Sequence, residues 1–140
     1  MPVIEVDPLV LKDVTLILGD PVTGPDFKKH VDSVTFTPAS AQVTWTGLGS
    51  NTHSDVTTAT WTVALNYVQD WETTDSLSQY LFSNEGQTVQ AEFAPRSGSG
   101  PSFRAEVIIT PGAIGGAVNV YAVTTVTLGC KAKPVLVPAV

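Results

Sequence analysis

TTATWTVALNYVQDWETTDSLSQYLFSNEGQTVQAEFAP, residues 57–95, decides how this chain is read. Ala59, Trp61, Val63, Leu65 and Tyr67 fall on one side of an extended backbone, and Thr60, Thr62, Ala64 and Asn66 on the other. A period of two sustained this long predicts a strand over residues 56–68 with one buried face, its core carried by Trp61, Val63 and Leu65. The period then changes. Leu77, Tyr80 and Leu81 recur at i, i+3 and i+4, the spacing of one helical face, which predicts a helix of about ten residues packing through those three side chains. Thr74 or Asp75 is suited to cap its first turn, and Gly86 to the left-handed residue beyond its end. Val89, Ala91 and Phe93 restore the alternation until Pro95 stops it.

Outward from that stretch, nearly everything reads as strand. Residues 9–18 are apolar-rich and end in Gly/Pro turn signals at residues 19–25. Residues 27–37 alternate and are expected to stop at Pro38, and a short strand follows at residues 43–46. Phe103, Ala105, Val107 and Ile109 alternate up to Pro111, and residues 118–128 form a last long strand. Residues 47–55, Gly47, Leu48, Gly49, Ser50, Asn51, Thr52, His53, Ser54 and Asp55, lack apolar periodicity and read as a loop long enough to reach beyond its own domain. The expected fold class is mainly β: a β-sandwich or partly closed barrel with one short α-helix packed on it. Residues 1–8 are expected to form an N-terminal arm, residues 9–130 the domain, and residues 131–140 an apolar C-terminal arm.

Composition narrows function by exclusion. A chain of 140 residues fits one domain able to bury about two-thirds of its unfolded surface. The charged fraction is 14%, against about 25% in typical soluble domains. Interface cores are depleted in charge, so this low value points to surface covered by other subunits. A net charge of −6 opposes tight nucleic-acid binding, which depends on Lys and Arg displacing counterions. No signal peptide and no membrane-length apolar run is evident, so synthesis in the cytosol and no membrane partner are expected. The single cysteine, Cys130, reads as a small apolar filler in the last strand.

The residues offer no evident catalytic or ligand-binding constellation. His53, Ser54 and Asp55 are the residue types of a hydrolase triad, but neighbours on an extended chain point apart and cannot form the relay. Two histidines and one cysteine supply no metal-ligand set, and Asp20 and Asp26 lack calcium-loop spacing. Glu92 and Glu106 resemble a glycosidase pair, yet their polar face reads as solvated. Gly115 and Gly116 serve a turn, since no phosphate-loop pattern follows. Trp45, Trp61 and Trp71 could form a sugar platform, but core packing accounts for Trp61 and a rim or helix-packing role for Trp71. No catalytic residue, cofactor or metal is expected, and the chain is not read as an enzyme.

The order of motifs resembles the major tail tube protein of long-tailed, siphovirus-like bacteriophages: FKKHVDSVTFTP, a Trp-containing strand, a Gly/Ser/Asn loop, TATWTVALNYVQDW, the helix DSLSQYLFSNEG, QTVQAEFAP, FRAEVIITPGAIGG and VYAVTTVTL. The helix before Gly86, Val89, Phe93 and Pro95, and the turn over residues 111–116, carry most of the likeness, which spans residues 31–129. The resemblance implies a virion structural protein, made in the host cytoplasm and located in the tail. Such subunits form hexameric rings stacked into a hollow tube that meets other tail proteins at its ends and passes DNA without gripping it. Residues 47–55 would be the inter-ring loop and the two arms would bind adjacent copies. The alternatives are a carbohydrate-binding or adhesin-like β-sandwich and another virion component, a head decoration protein or a tail terminator.

Overall fold

A computed structural model of the chain describes residues 2–20, 24–96, 98 and 100–138. Within them lie nine strands and one helix: β1 (Thr15–Leu18), β2 (Val31–Ala39), β3 (Gln42–Thr46), β4 (Thr52–Val56), β5 (Thr60–Val68), α1 (Leu77–Ser83), β6 (Thr88–Ala94), β7 (Ser102–Ile108), β8 (Val123–Cys130) and β9 (Val135–Val137). Seven strands form one antiparallel sheet in the order β1-β6-β7-β8-β5-β2, with β9 added on β7, while β3 and β4 pair only with each other. The protein is mainly β and sandwich-like.

The large sheet curls over on itself. At about 4.8 Å per strand step, a flat sheet would hold β6 and β2 roughly 19 Å apart. Instead the rings of Phe93 on β6 and Phe36 on β2 lie 6.0 Å apart. The fold line falls between β7 and β8, joined only through Val107↔Cys130 and Ile108↔Gly129. Beyond that short ladder β9 takes over the same edge of β7, pairing Val135, Leu136 and Val137 with Arg104, Phe103 and Ser102. The two halves close on a core of Leu16, Leu18, Phe27, Val63, Leu65, Tyr67, Val107, Ile109 and Leu128, each at most 2% exposed. The outer strands β1 and β2 do not pair, so the sheet stays open along one side.

The alternation in β5 places Val63, Leu65 and Tyr67 inside, at 2%, 1% and 2% exposure. Trp61 is only half-buried, because it stands near the open side. The helix is shorter than its sequence suggests, seven residues, and its N-cap is Ser76 rather than Thr74 or Asp75. The reason lies upstream. Asp70 Oδ1 accepts from the amides of Glu72 and Thr73, 3.1 Å each, which winds residues 70–75 into a turn. Ser76 then becomes the first residue able to cap, accepting from the Gln79 amide while donating to the Asp70 carbonyl. Leu77 and Leu81 are fully buried, and the Tyr80 ring lies 5.4 Å from that of Phe27. Gly86, at φ +83°, turns the chain so that its amide reaches the Ile109 carbonyl.

Four boundaries differ from the sequence reading. β2 runs through Pro38 to Ala39 rather than stopping, because an edge strand needs no donor on its outer side. The strand expected over residues 56–68 is divided, with Val56 closing β4 and β5 beginning at Thr60. Only Thr15–Leu18 of the apolar run 9–18 finds a partner, on β6. β8 begins at Val123, not residue 118, since its partner β5 ends at Val68 opposite Val123.

Candidate assembly surfaces

The β3–β4 hairpin is the most exposed ordered element of the fold. Its five register pairs run from Gln42↔Val56 to Thr46↔Thr52, and every strand residue is exposed. The loop read over residues 47–55 is therefore corrected. Gly47, Leu48, Gly49, Ser50 and Asn51 make the turn, with the Gly47 amide donating to the Asn51 carbonyl at 2.8 Å. Thr52, His53, Ser54 and Asp55 belong to β4. The sequence signal was hidden because THSDV is polar on both faces, so its pleat becomes visible only opposite QVTWT.

Direct pairing puts Val43, Trp45, His53 and Asp55 on one face of the hairpin, with the Trp45 and His53 rings 6.0 Å apart. Thr44 and Ser54, and Thr46 and Thr52, approach at 3.4 Å on the other. Trp45 is 62% exposed and Leu48, at the tip, is wholly exposed. An isolated two-stranded ribbon is marginal in water, and among the described residues no third strand joins it and every residue of both strands stays exposed. His53, Ser54 and Asp55 project alternately, and Asp55 accepts from the neighbouring Val56 amide at 2.8 Å, so they form no relay.

The N-terminal segment is a second uncovered surface. Val3, Ile4 and Val6 are 90%, 88% and 80% exposed. The segment is fastened where it joins the domain: Arg96 donates to both carboxylate oxygens of Asp7 at 3.2 and 3.3 Å. That hydrogen bond and the guanidinium charge hold the Asp7 carboxyl below its ordinary pKa. Met1 lies outside the described residues.

The C-terminal segment behaves differently from the arm expected over residues 131–140. β9 lies within it and pairs with its own sheet, although Val135 and Leu136 keep outward faces more than half exposed. Residues 139–140 lie outside the described residues.

A third surface lies near the helix. The Gln69 side chain clamps the loop after β7, donating to the Gly115 carbonyl at 2.9 Å and accepting the Gly115 amide at 3.0 Å. Trp71 Nε1 also donates to Gln69 Oε1, at 3.2 Å, and its ring meets Phe82 edge-on at 5.9 Å. Ile114, Val118, Val120 and Tyr121 stand out from the loop.

A cleft that the sequence did not announce begins between β1 and β2, which do not pair with each other, and continues past residues of β2, β5, β6, β7 and β9. One part is an apolar groove of about 750 Å³, with Leu9, Leu11, Phe36, Trp61, Phe93, Phe103 and Leu136 in its walls. The adjoining part, about 390 Å³, is more polar and bears Lys12, Lys28 and Lys29. The parts share Leu11, Val34 and Phe93. Its walls come from both ends of the sheet, so no local pattern could reveal it.

Other candidate groups are ordinary on inspection. Glu92 is not solvated as expected: its side chain is 15% exposed and accepts from Arg104 Nε at 3.2 Å. Register places Glu92 opposite Arg104, and Glu106 opposite Gln90, so the two carboxylates are not a facing pair. Cys130 ends β8 half-buried, and burial raises its thiol pKa. Among the described residues no group of three or more His, Cys, Asp or Glu could hold a metal ion. Among the same residues no helix is long and apolar enough to cross a membrane.

No protein-family model matches the chain, and no curated protein matches it. Solved structures do. A chain of an extracellular contractile injection system, the PVC sheath-tube complex in its extended state, superposes with a TM-score of 0.64 at 12% identity, over 94% of this chain and 92% of that one. A chain of the virion of a native gene transfer agent particle superposes with a TM-score of 0.58 at 13% identity, over 86% of this chain and 94% of that one. At such low identity the likeness establishes a shared fold: this chain has the architecture of a subunit found in a sheath-tube complex and in a gene transfer agent particle.

Proposed function

We propose that this protein is a structural subunit that assembles with copies of itself into stacked hexameric rings, forming the tube of a phage-type tail through which DNA passes. The observation that carries the reading is the β3–β4 hairpin. It is ordered, yet it exposes Val43, Trp45, Leu48 and Val56 at 51%, 62%, 109% and 63%, and its strands pair with no other strand among the described residues. Covering those side chains with a neighbour removes apolar area from water at about 25 cal/mol per Å². The shared fold supports the same reading, since both solved relatives come from multi-subunit particles.

Residues 47–55, as the tip and second strand of the hairpin, are the inter-ring contact in this proposal. The N-terminal segment adds a second contact. Two different patches meeting head to tail give a ring when the rotation closes, and a stack when the ring faces also match. A net charge of −6 suits a conduit that must not retain DNA. The role proposed is mechanical.

Negative-stain electron microscopy of the purified protein tests this. Rings or tubes with a central hole are expected. A monomer at every concentration that is retarded on polysaccharide gels would overturn the proposal in favour of sugar binding through the exposed Trp45–His53 pair.

A further inference from the structure

The cleft between β1 and β2 and the N-terminal segment are complementary. The chain has 7 basic residues against 13 acidic ones, yet four of the seven, Lys12, Lys28, Lys29 and Lys133, line this cleft. Asp13 and Asp32 also line it, and of the four lysines only Lys28 is paired with one of them, donating to Asp13 at 3.2 Å, so the cleft keeps a net positive charge. Beside the lysines lies the apolar groove. A ligand for such a surface must be extended, apolar and acidic.

Residues 2–7, PVIEVD, have that composition: Val3, Ile4 and Val6 with Glu5 between them. They do not occupy the groove of their own subunit, since these three aliphatic side chains are 80% exposed or more. The next residues explain why. Leu9 and Leu11 already stand in the groove wall, and Arg96 ties Asp7 and the Pro8 carbonyl to the β6–β7 turn. The five residues before Asp7 thus leave the domain with a reach of roughly 17 Å.

We infer that residues 2–6 of one copy dock in the β1/β2 cleft of a second copy, with Val3, Ile4 and Val6 in the apolar groove and Glu5 beside Lys133. This rests on the assembly reading and names the acceptor surface for one of its contacts. The occupant is a second copy because the same chain supplies both an acidic apolar strand without a seat and a basic apolar seat without a strand. Because donor and acceptor are different surfaces, the contact is heterologous and propagates around a ring or along a stack.

The test is a cysteine pair, Glu5→Cys with Lys133→Cys in a Cys130→Ser background, on the full chain; both engineered positions are exposed and the fold is checked by circular dichroism. Oxidation should give a ladder of covalent dimers and higher species that collapses under reductant. A bond formed within one chain, or none, overturns the inference. The same samples are imaged: tubes without interchain bonds remove the docking site and leave the assembly reading intact, whereas no tubes and no bonds remove both. As a second readout, Glu5→Lys or Lys133→Glu alone should raise the concentration for half-assembly about fivefold, and the two together should restore it. Additive effects with no recovery in the double variant contradict the pairing.

Discussion

Strand β5 and the β3–β4 hairpin use much the same residues in opposite surroundings. TWTVALNYV and QVTWT both alternate threonine with tryptophan and valine. In β5 the apolar side joins a core shared with α1, β1 and the far half of the curled sheet, so Val63 and Leu65 are 2% and 1% exposed. In β3 the same alternation meets only the facing strand β4, and Val43 and Trp45 stay 51% and 62% exposed. Periodicity reports that a face is meant to be covered. It does not say which chain provides the cover.

Substitutions separate the two regions, and the largest effect belongs to the core. Val63→Asp buries an unpaired charge beside Leu65 and Leu128, costing about 4 kcal/mol or more, a large part of a typical stability of about 5–15 kcal/mol. Thermal unfolding should show no cooperative folded state; a normal melting temperature would mean that the faces of β5 are assigned the wrong way round. Leu81→Ala, under the helix, should cost about 3 kcal/mol by cavity formation. A loss below about 1 kcal/mol in urea titration would show that α1 is peripheral to the core.

Ser76→Ala removes the N-cap and strands the Asp70 carbonyl without its donor, which should cost about 1–2 kcal/mol by the same titration. Trp45→Ala should change subunit stability by no more than about 0.5 kcal/mol, as for an exposed residue, while abolishing assembly seen by light scattering. If it unfolded the subunit and spared assembly, the contrast between hairpin and core would be reversed.

The smallest effect is electrostatic. Hydrogen bonds from the Thr73 side chain and amide, then from the Glu72 amide, hold the Asp70 carboxyl below its ordinary 3.8. A carboxyl lowered on folding stabilises above its unfolded pKa, and that contribution disappears as pH falls through the folded value. Asp70→Asn should therefore lower the melting temperature at neutral pH, with the gap from the unsubstituted protein closing once the pH is well below 3.8.

These contrasts also mark what a sequence can carry. The fold class, the buried side of β5 and the existence of the helix were legible, because each rests on local periodicity. The N-cap was not: residues 73–76, TTDS, are all capable caps, and only the prior use of Asp70 to bind the Glu72 and Thr73 amides selects Ser76. β4 was missed because Thr52, His53, Ser54 and Asp55 are polar on both faces. The start of β8 at Val123 depended on where β5 stops, and the β1/β2 cleft on strands far apart in sequence. The C-terminal segment read as a second arm because its apolar residues had no local partner; β7 supplies one wherever β8 leaves its edge open.

Central to the proposed assembly is that other copies of this chain cover the hairpin and the N-terminal segment. Hydrogen exchange of the protein, dilute and then concentrated, reads that cover directly. Amides of residues 42–56 should exchange quickly when dilute and become protected on concentration, in step with the appearance of ring-sized species by sedimentation velocity. Unchanged exchange in the hairpin, with a single monomeric boundary at every concentration, would contradict it.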